Sequence, residues 1–198
     1  MRSMVCVGAG PSLRKEDVAA CEIAGFSFMV VNNAFQFACC PEYHYAADTR
    51  WWQRNYTYTQ MSSYKLSIQQ SNRDQGHPGV RQMERGAAEG FSAYWPKLST
   101  GYNSGFQAIN LAYLLGFRRV VLLGYDMKFG ANGEKHCHSD HPDYNPLNVT
   151  VDKWVCTFNK IAPMIKELGL EVINATRDTD LDCFPQVRLE ELLEERIA

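Results

Sequence analysis

Asn103-Ser104-Gly105, an apolar run to Leu115, and then Gly116-Phe117-Arg118-Arg119-Val120-Val121-Leu122-Leu123-Gly124-Tyr125-Asp126 decide the fold class of this chain. The stretch spells a polar loop, a helix, a turn, a buried strand and an acidic tip. Ser104 is placed to cap the helix, Gly116 to end it, and Val120 to Leu123 is a short β-rich apolar run. Such a unit sets a helix N-terminus beside a strand C-terminus. In open α/β sheets ligands bind at that edge, where unpaired helix N–H groups attract anions.

The same alternation extends in both directions. Met4-Val5-Cys6-Val7-Gly8 reads as a buried strand running into Gly8-Ala9-Gly10-Pro11-Ser12-Leu13, and Pro11-Ser12 opens a helix to about Ala24, stopped by Gly25. Ser27 to Asn32 is a second strand carrying Asn32-Asn33 at its end, and Tyr43 to Ala47 a third ending in Asp48. Downstream, Val151 to Leu168 is an amphipathic helix with Trp154, Phe158, Ile161 and Ile165 on one face. Leu170 to Asn174 is a last strand and Leu189 to Ile197 a closing helix. The pattern predicts one α/β domain over residues 1–198, Rossmann-like, with a mostly parallel sheet and helices on both faces. Only Lys65 to Gln69 looks strand-like between Thr49 and Thr100, so residues 51–98 are predicted to be an irregular insertion that packs on the sheet edge and partly covers the site.

Composition narrows the function. At 198 residues with 45% apolar content the chain can bury a real core. A net charge of -2 gives no global attraction to nucleic acid, which is not an expected partner. No run of about 18 apolar residues predicts a membrane span, and the N-terminus leads straight into a strand, so a cytoplasmic protein is expected. Seven cysteines without a C-x-x-C pair are expected to be reduced and mostly buried, Cys6 and Cys156 among them. Self-association is left open.

Several groups at strand ends carry chemistry. In Gly8-Ala9-Gly10-Pro11-Ser12 two glycines let the backbone approach a phosphate or ribose, and the following helix start offers N–H donors. A plain tight turn explains the glycines equally well, and the third glycine of the dinucleotide fingerprint is missing. His136-Cys137-His138-Ser139-Asp140-His141 offers histidines that titrate near neutrality as general bases, with His138 and His141 the two candidates. These are also zinc ligand types, but their spacing matches no established zinc site. Asp48 and Asp126, both at strand ends, are candidate holders of a hydrated magnesium ion on a diphosphate.

Gly8-x-Gly10-Pro11-Ser12-Leu13, Asn32 or Asn33 before Phe35, Asn103-Ser104-Gly105 before a helix, and Leu123-Gly124-Tyr125-Asp126 together resemble the bacterial sialyltransferases of glycosyltransferase family 42. They are also similar to a related group that includes archaeal 6-hydroxymethylpterin diphosphokinases and phage or prophage proteins of about this length. The resemblance covers most of the chain outside residues 51–98. It implies a nucleotide held across the strand ends by Gly8, Gly10, Ser12, Asn32 or Asn33, Asn103, Ser104 and Gly105, and a histidine base near His138 or His141. Ala9 stands where the family has asparagine. Met127-Lys128-Phe129 stands where it has phosphate-holding tyrosines, so Lys128 becomes the expected phosphate partner. The expected function is a nucleotide- or nucleotide-sugar-dependent transferase acting on a small-molecule or glycan acceptor, with Asp126 in the catalytic set. Two alternatives are a magnesium-dependent diphosphate transferase and a non-catalytic nucleotide-binding protein.

Overall fold

A computed structural model describes residues 2–59, 62–71, 73–138 and 151–197. The strands are β1 (Ser3–Val7), β2 (Ser27–Val31), β3 (Tyr43–Tyr45), β4 (Tyr64–Ile68), β5 (Arg81–Arg85), β6 (Lys97–Leu98), β7 (Arg119–Leu123) and β8 (Glu171–Asn174). They form one sheet in the order β6-β5-β4-β3-β2-β1-β7-β8, every neighbouring pair parallel. The helices are α1 (Lys15–Ile23), α2 (Thr49–Asn55), α3 (Ser104–Leu114), α4 (Val151–Glu167) and α5 (Leu189–Ile197).

Both faces of the sheet are covered, which is why β1, β2 and β7 read as continuous apolar runs instead of alternating ones. Met4 and Cys6 of β1 face a core filled by Phe106 and Ile109 of α3 and Phe158, Ile161 and Ile165 of α4. Val5 and Val7 face the opposite core, with Val18 and Cys21 of α1 and Leu189 and Leu192 of α5. Phe158, Ile161 and Ile165 recur at helical spacing, so one stripe of α4 is buried while the residues around it are half-buried or exposed.

The chain leaves β1 outward through β2 to β6, then returns to place β7 on the other side of β1. The crevice beyond β1 and β7 is therefore the topological switch point, the usual ligand position in such sheets. Register makes the three exits level, since Val7 is opposite both Val30 of β2 and Leu123 of β7.

Four local expectations are corrected, the last being that the cysteines are mostly buried. Residues 51–98 are not an insertion on the sheet edge but supply β4, β5 and β6 of the sheet itself. Helix α1 begins at Lys15, not at Pro11-Ser12, because residues 10–13 close a separate turn (Leu13 amide on the Gly10 carbonyl, 3.1 Å) and Arg14 is extended, while the Ser12 amide donates to Asp126 (2.7 Å). Helix α3 is capped by Asn103, whose Oδ1 accepts from the Gly105 and Phe106 amides at 2.7 and 3.1 Å, and Ser104 is its first residue. Among the cysteines, Cys6 and Cys21 are buried, whereas Cys39, Cys40 and Cys156 are exposed. No helix among the described residues is long and apolar enough to cross a membrane.

Candidate functional site

A cavity of about 340 Å³ opens at the switch point. The turn after β1 contributes Gly8, Ala9 and Gly10, and the end of β2 contributes Asn32. Residues 102–105 bring the N-terminus of α3, and residues 124–129 bring the exit of β7. Lys135, His136, His138 and Trp154 also line it. Its size lies at the lower end of small-molecule sites.

The glycines of the first turn have a packing explanation. Gly8 donates its amide to the Leu123 carbonyl (2.8 Å) and Gly10 to the Gly124 carbonyl (2.9 Å), so the exits of β1 and β7 touch backbone to backbone. A Cβ on Gly8 would lie 2.5 Å from the Gly124 oxygen, and one on Gly10 would collide with the Asp126 carboxylate. The reading of this turn as a plain close approach thus accounts for both glycines, while their backbones still line the cavity.

Asp126 is buried at the cavity and its Oδ2 accepts the Ser12 amide. Its Oδ1 has no hydrogen-bond partner among the described residues. Burial raises the Asp126 carboxyl above its ordinary range, against the Ser12 amide and nearby hydroxyl, which lower it. The Ser12 N–H that was expected to meet a phosphate is spent on this carboxylate. Lys128 is engaged too, paired with Asp178 and, at 3.2 Å, with Asp180. Those two carboxylates come from the segment after β8, which also braces the exit of β7. There the Thr176 hydroxyl accepts from the Tyr125 amide (3.0 Å), the Thr179 hydroxyl donates to the Tyr125 carbonyl (2.7 Å), and the Asp180 amide donates to the Asp126 carbonyl (2.9 Å).

Aromatic surface surrounds these polar groups. Tyr102 and Phe129 are exposed, and half-buried Trp154 donates its indole N–H to the Tyr102 carbonyl (3.2 Å). His136 and His138 stack with ring centroids 5.1 Å apart, and the loop between them is held to the first turn by the Cys137 amide on the Ala9 carbonyl (3.0 Å). Among the described residues, three non-glycine positions have left-handed backbones: Asn32, Tyr102 and Met127, at φ of 49°, 55° and 50°. All three line this cavity. Left-handed backbone costs on the order of 1 kcal/mol or more per non-glycine residue and tends to gather at binding sites.

The structure therefore brings Gly8, Gly10, Asn32, Asn103, Ser104, Gly105, Asp126, Lys128 and His138 to one cavity. Ser12 is tied beneath it through Asp126. Asn33 is separated from the lining, accepting the Trp51 indole N–H on its Oδ1 (2.8 Å). Asp48 also lies outside the lining and caps α2 by accepting the Arg50 amide (2.8 Å), so it forms no joint magnesium site with Asp126 there. Among the described residues no group of three or more His, Cys, Asp and Glu is placed to hold a metal. His141 and Asp140 lie outside the described residues. Sequence reasoning did not identify Tyr102, Met127, Phe129, Lys135 or Trp154 as lining residues. Nor did it single out His44, buried in β3 behind Asn32.

His44 has a measurable signature. Burial pushes its pKa down to about 4, with the hydrogen bond to the Asn32 carbonyl opposing and the Lys65 charge assisting. An ordinary histidine titrates near 6.5. The stability this neutral ring contributes is complete above about pH 6.5 and is lost as pH falls towards 4, roughly 3 kcal/mol at 1.36 kcal/mol per unit. Asp126, raised by burial, acts in the opposite sense. The comparison is therefore made against His44→Gln, for which urea midpoints should fall less between pH 6.5 and 4 than for wild type. Equal slopes would show that His44 is not buried neutral.

The fold and site define a Rossmann-like α/β domain with a polar, aromatic-walled cavity at its switch point. No family model, curated protein or solved structure matches the chain.

Proposed function

We propose that this protein is a nucleotide- or nucleotide-sugar-binding transferase, similar in reaction to the family 42 glycosyltransferases. The observation that carries the reading is the convergence on one switch-point cavity of Asn32, Ser104, Lys135, His136 and His138 with the rings of Tyr102, Phe129 and Trp154. A nucleotide has matching parts. A base offers a face for stacking, a ribose offers hydroxyls, and a phosphate offers charge to lysine and histidine. Because Asp126 occupies the Ser12 amide, the phosphate belongs on the side of Lys128, Lys135 and the histidines. A histidine of the 136–141 loop, His138 or His141, accepts the proton of the acceptor hydroxyl as that oxygen attacks the sugar and the nucleotide phosphate departs.

The test is release of nucleotide from CMP-, UDP- and GDP-sugars offered with simple glycan acceptors. Wild type should turn over one of them, and His138→Ala or His141→Ala should lose at least about 100-fold in kcat. The nucleotide's stabilisation of the thermal midpoint should remain in that variant. A failure of every nucleotide to raise the midpoint would remove the reading altogether. A second reading, binding without chemistry, is favoured by Lys128 being already neutralised by Asp178 and Asp180. It predicts stabilisation by nucleotide and no turnover of any donor.

A further inference from the structure

Behind the cavity, the turn at the end of β2 is held from below by two side chains that no ligand would touch. His44 Nε2 lies 2.9 Å from the Asn32 carbonyl oxygen. A carbonyl only accepts, so Nε2 carries the proton and His44 is the donor. Its ring is fully buried between Phe35, Trp51 and Trp52, with centroids 5.3, 5.1 and 4.9 Å away, and Nδ1 has no partner among the described residues. Trp51 donates its indole N–H to the Asn33 side-chain oxygen (2.8 Å), and its ring meets Phe35 edge-on. Between these two anchors, Asn32 adopts φ 49°.

The consequence for the cavity is directional. The Asn33 side-chain oxygen is taken by the Trp51 indole, while Asn32 lines the cavity. Asparagine tolerates the left-handed region better than most residues, yet it does not prefer it without support. A buried ring nitrogen left unpaired is itself a cost, and removing His44 would take a buried side-chain donor from the Asn32 carbonyl.

We propose that His44 is a positioning residue for the candidate site: its Nε2–H, with Trp51 as a second anchor, holds Asn32 in the left-handed conformation that presents its amide to the ligand. The conformational part stands without any ligand. Its effect on affinity rests on the cavity being the nucleotide site, as proposed above. Histidine is suited to the task because it joins a flat apolar body, which fills the space among three aromatic rings, to a donor at fixed reach. Glutamine can place an amide N–H at similar reach; phenylalanine fills the space but donates nothing.

The experiment compares wild type with His44→Gln and His44→Phe by NMR. Backbone couplings and carbon shifts should report a left-handed Asn32 in wild type and in His44→Gln, and an ordinary extended or helical Asn32 in His44→Phe, with β1 and β7 unchanged in all three. CMP, UMP, GMP and AMP then serve as probes. Whichever one binds wild type should bind His44→Phe at least tenfold more weakly and His44→Gln within about threefold. A left-handed Asn32 in His44→Phe, or failure of His44→Gln to restore it, overturns the proposal. Should His44→Phe not fold, a long-range proton–nitrogen spectrum of the wild-type histidines decides the matter. The proposal requires the proton on Nε2 of His44, and a proton on Nδ1 instead overturns it. If no nucleotide binds wild type while Asn32 responds as expected, the functional reading fails and the positioning role survives.

Discussion

Replacing Gly8 by alanine should destabilise the protein by about 3 kcal/mol, the upper part of the range for forcing atoms into filled space. The added carbon would meet the Gly124 carbonyl oxygen at 2.5 Å and the Tyr125 ring at 3.2 Å. Neither neighbour yields easily. The first is backbone in the β1–β7 contact, and the second is a buried ring whose hydroxyl is bound to the Gly105 carbonyl (3.1 Å). For a chain of this size the thermal midpoint should fall by roughly 6–12 °C. Gly133→Ala is the control, since nothing lies within 4 Å of its would-be Cβ and only its φ of 84° opposes the change. A midpoint for Gly8→Ala no lower than that of Gly133→Ala would mean that β1 and β7 do not approach as described.

Trp154→Ala should weaken nucleotide binding about tenfold or more, because stacking on an aromatic side chain contributes roughly 1–3 kcal/mol per base. Trp154 lies in the first turn of α4, ahead of the stripe buried in the core, and its indole also donates to the carbonyl of the left-handed Tyr102. Trp154→Phe separates the two roles by keeping a ring and losing the N–H. It should retain most of the affinity if stacking dominates, and equilibrium dialysis with the best-stabilising nucleotide measures both variants. An unchanged Kd in Trp154→Ala would remove the aromatic wall from the account.

The parts of the fold legible in the sequence were those where local pattern and burial agree. β1, β2 and β7 are buried on both faces, so Met4 to Val7, Phe28 to Val31 and Val120 to Leu123 stand out as apolar runs. β5 does not, because it lies one strand in from the sheet's far edge, where Arg81, Gln82, Glu84 and Arg85 stay partly or fully exposed and only Met83 is buried. Such a strand is held by backbone pairing, which leaves little trace in side-chain type. At the site, turn chemistry pointed to Gly8 and Gly10, the end of the second strand to Asn32 or Asn33, and the family resemblance to Asn103. It missed what contact across the chain decides: the Ser12 amide is consumed by a carboxylate 114 residues away. Trp154 was readable only as part of an apolar stripe, since helical spacing says which face a residue shares and not where the core ends. His44, inside a short strand of Tyr43–Tyr45, carries no motif at all; its role exists only through the Asn32 carbonyl.

The most direct test of the central claim is an amide-shift titration of nitrogen-labelled protein with CMP, UMP, GMP and AMP. The account predicts saturable changes for at least one of them, concentrated at residues 8–10, 31–32, 102–105, 124–138 and 154. A groove beside α5, lined by Arg177, Arg188 and Glu190, should stay silent. Absence of saturable shifts with every nucleotide, or shifts confined to that second groove, would contradict it.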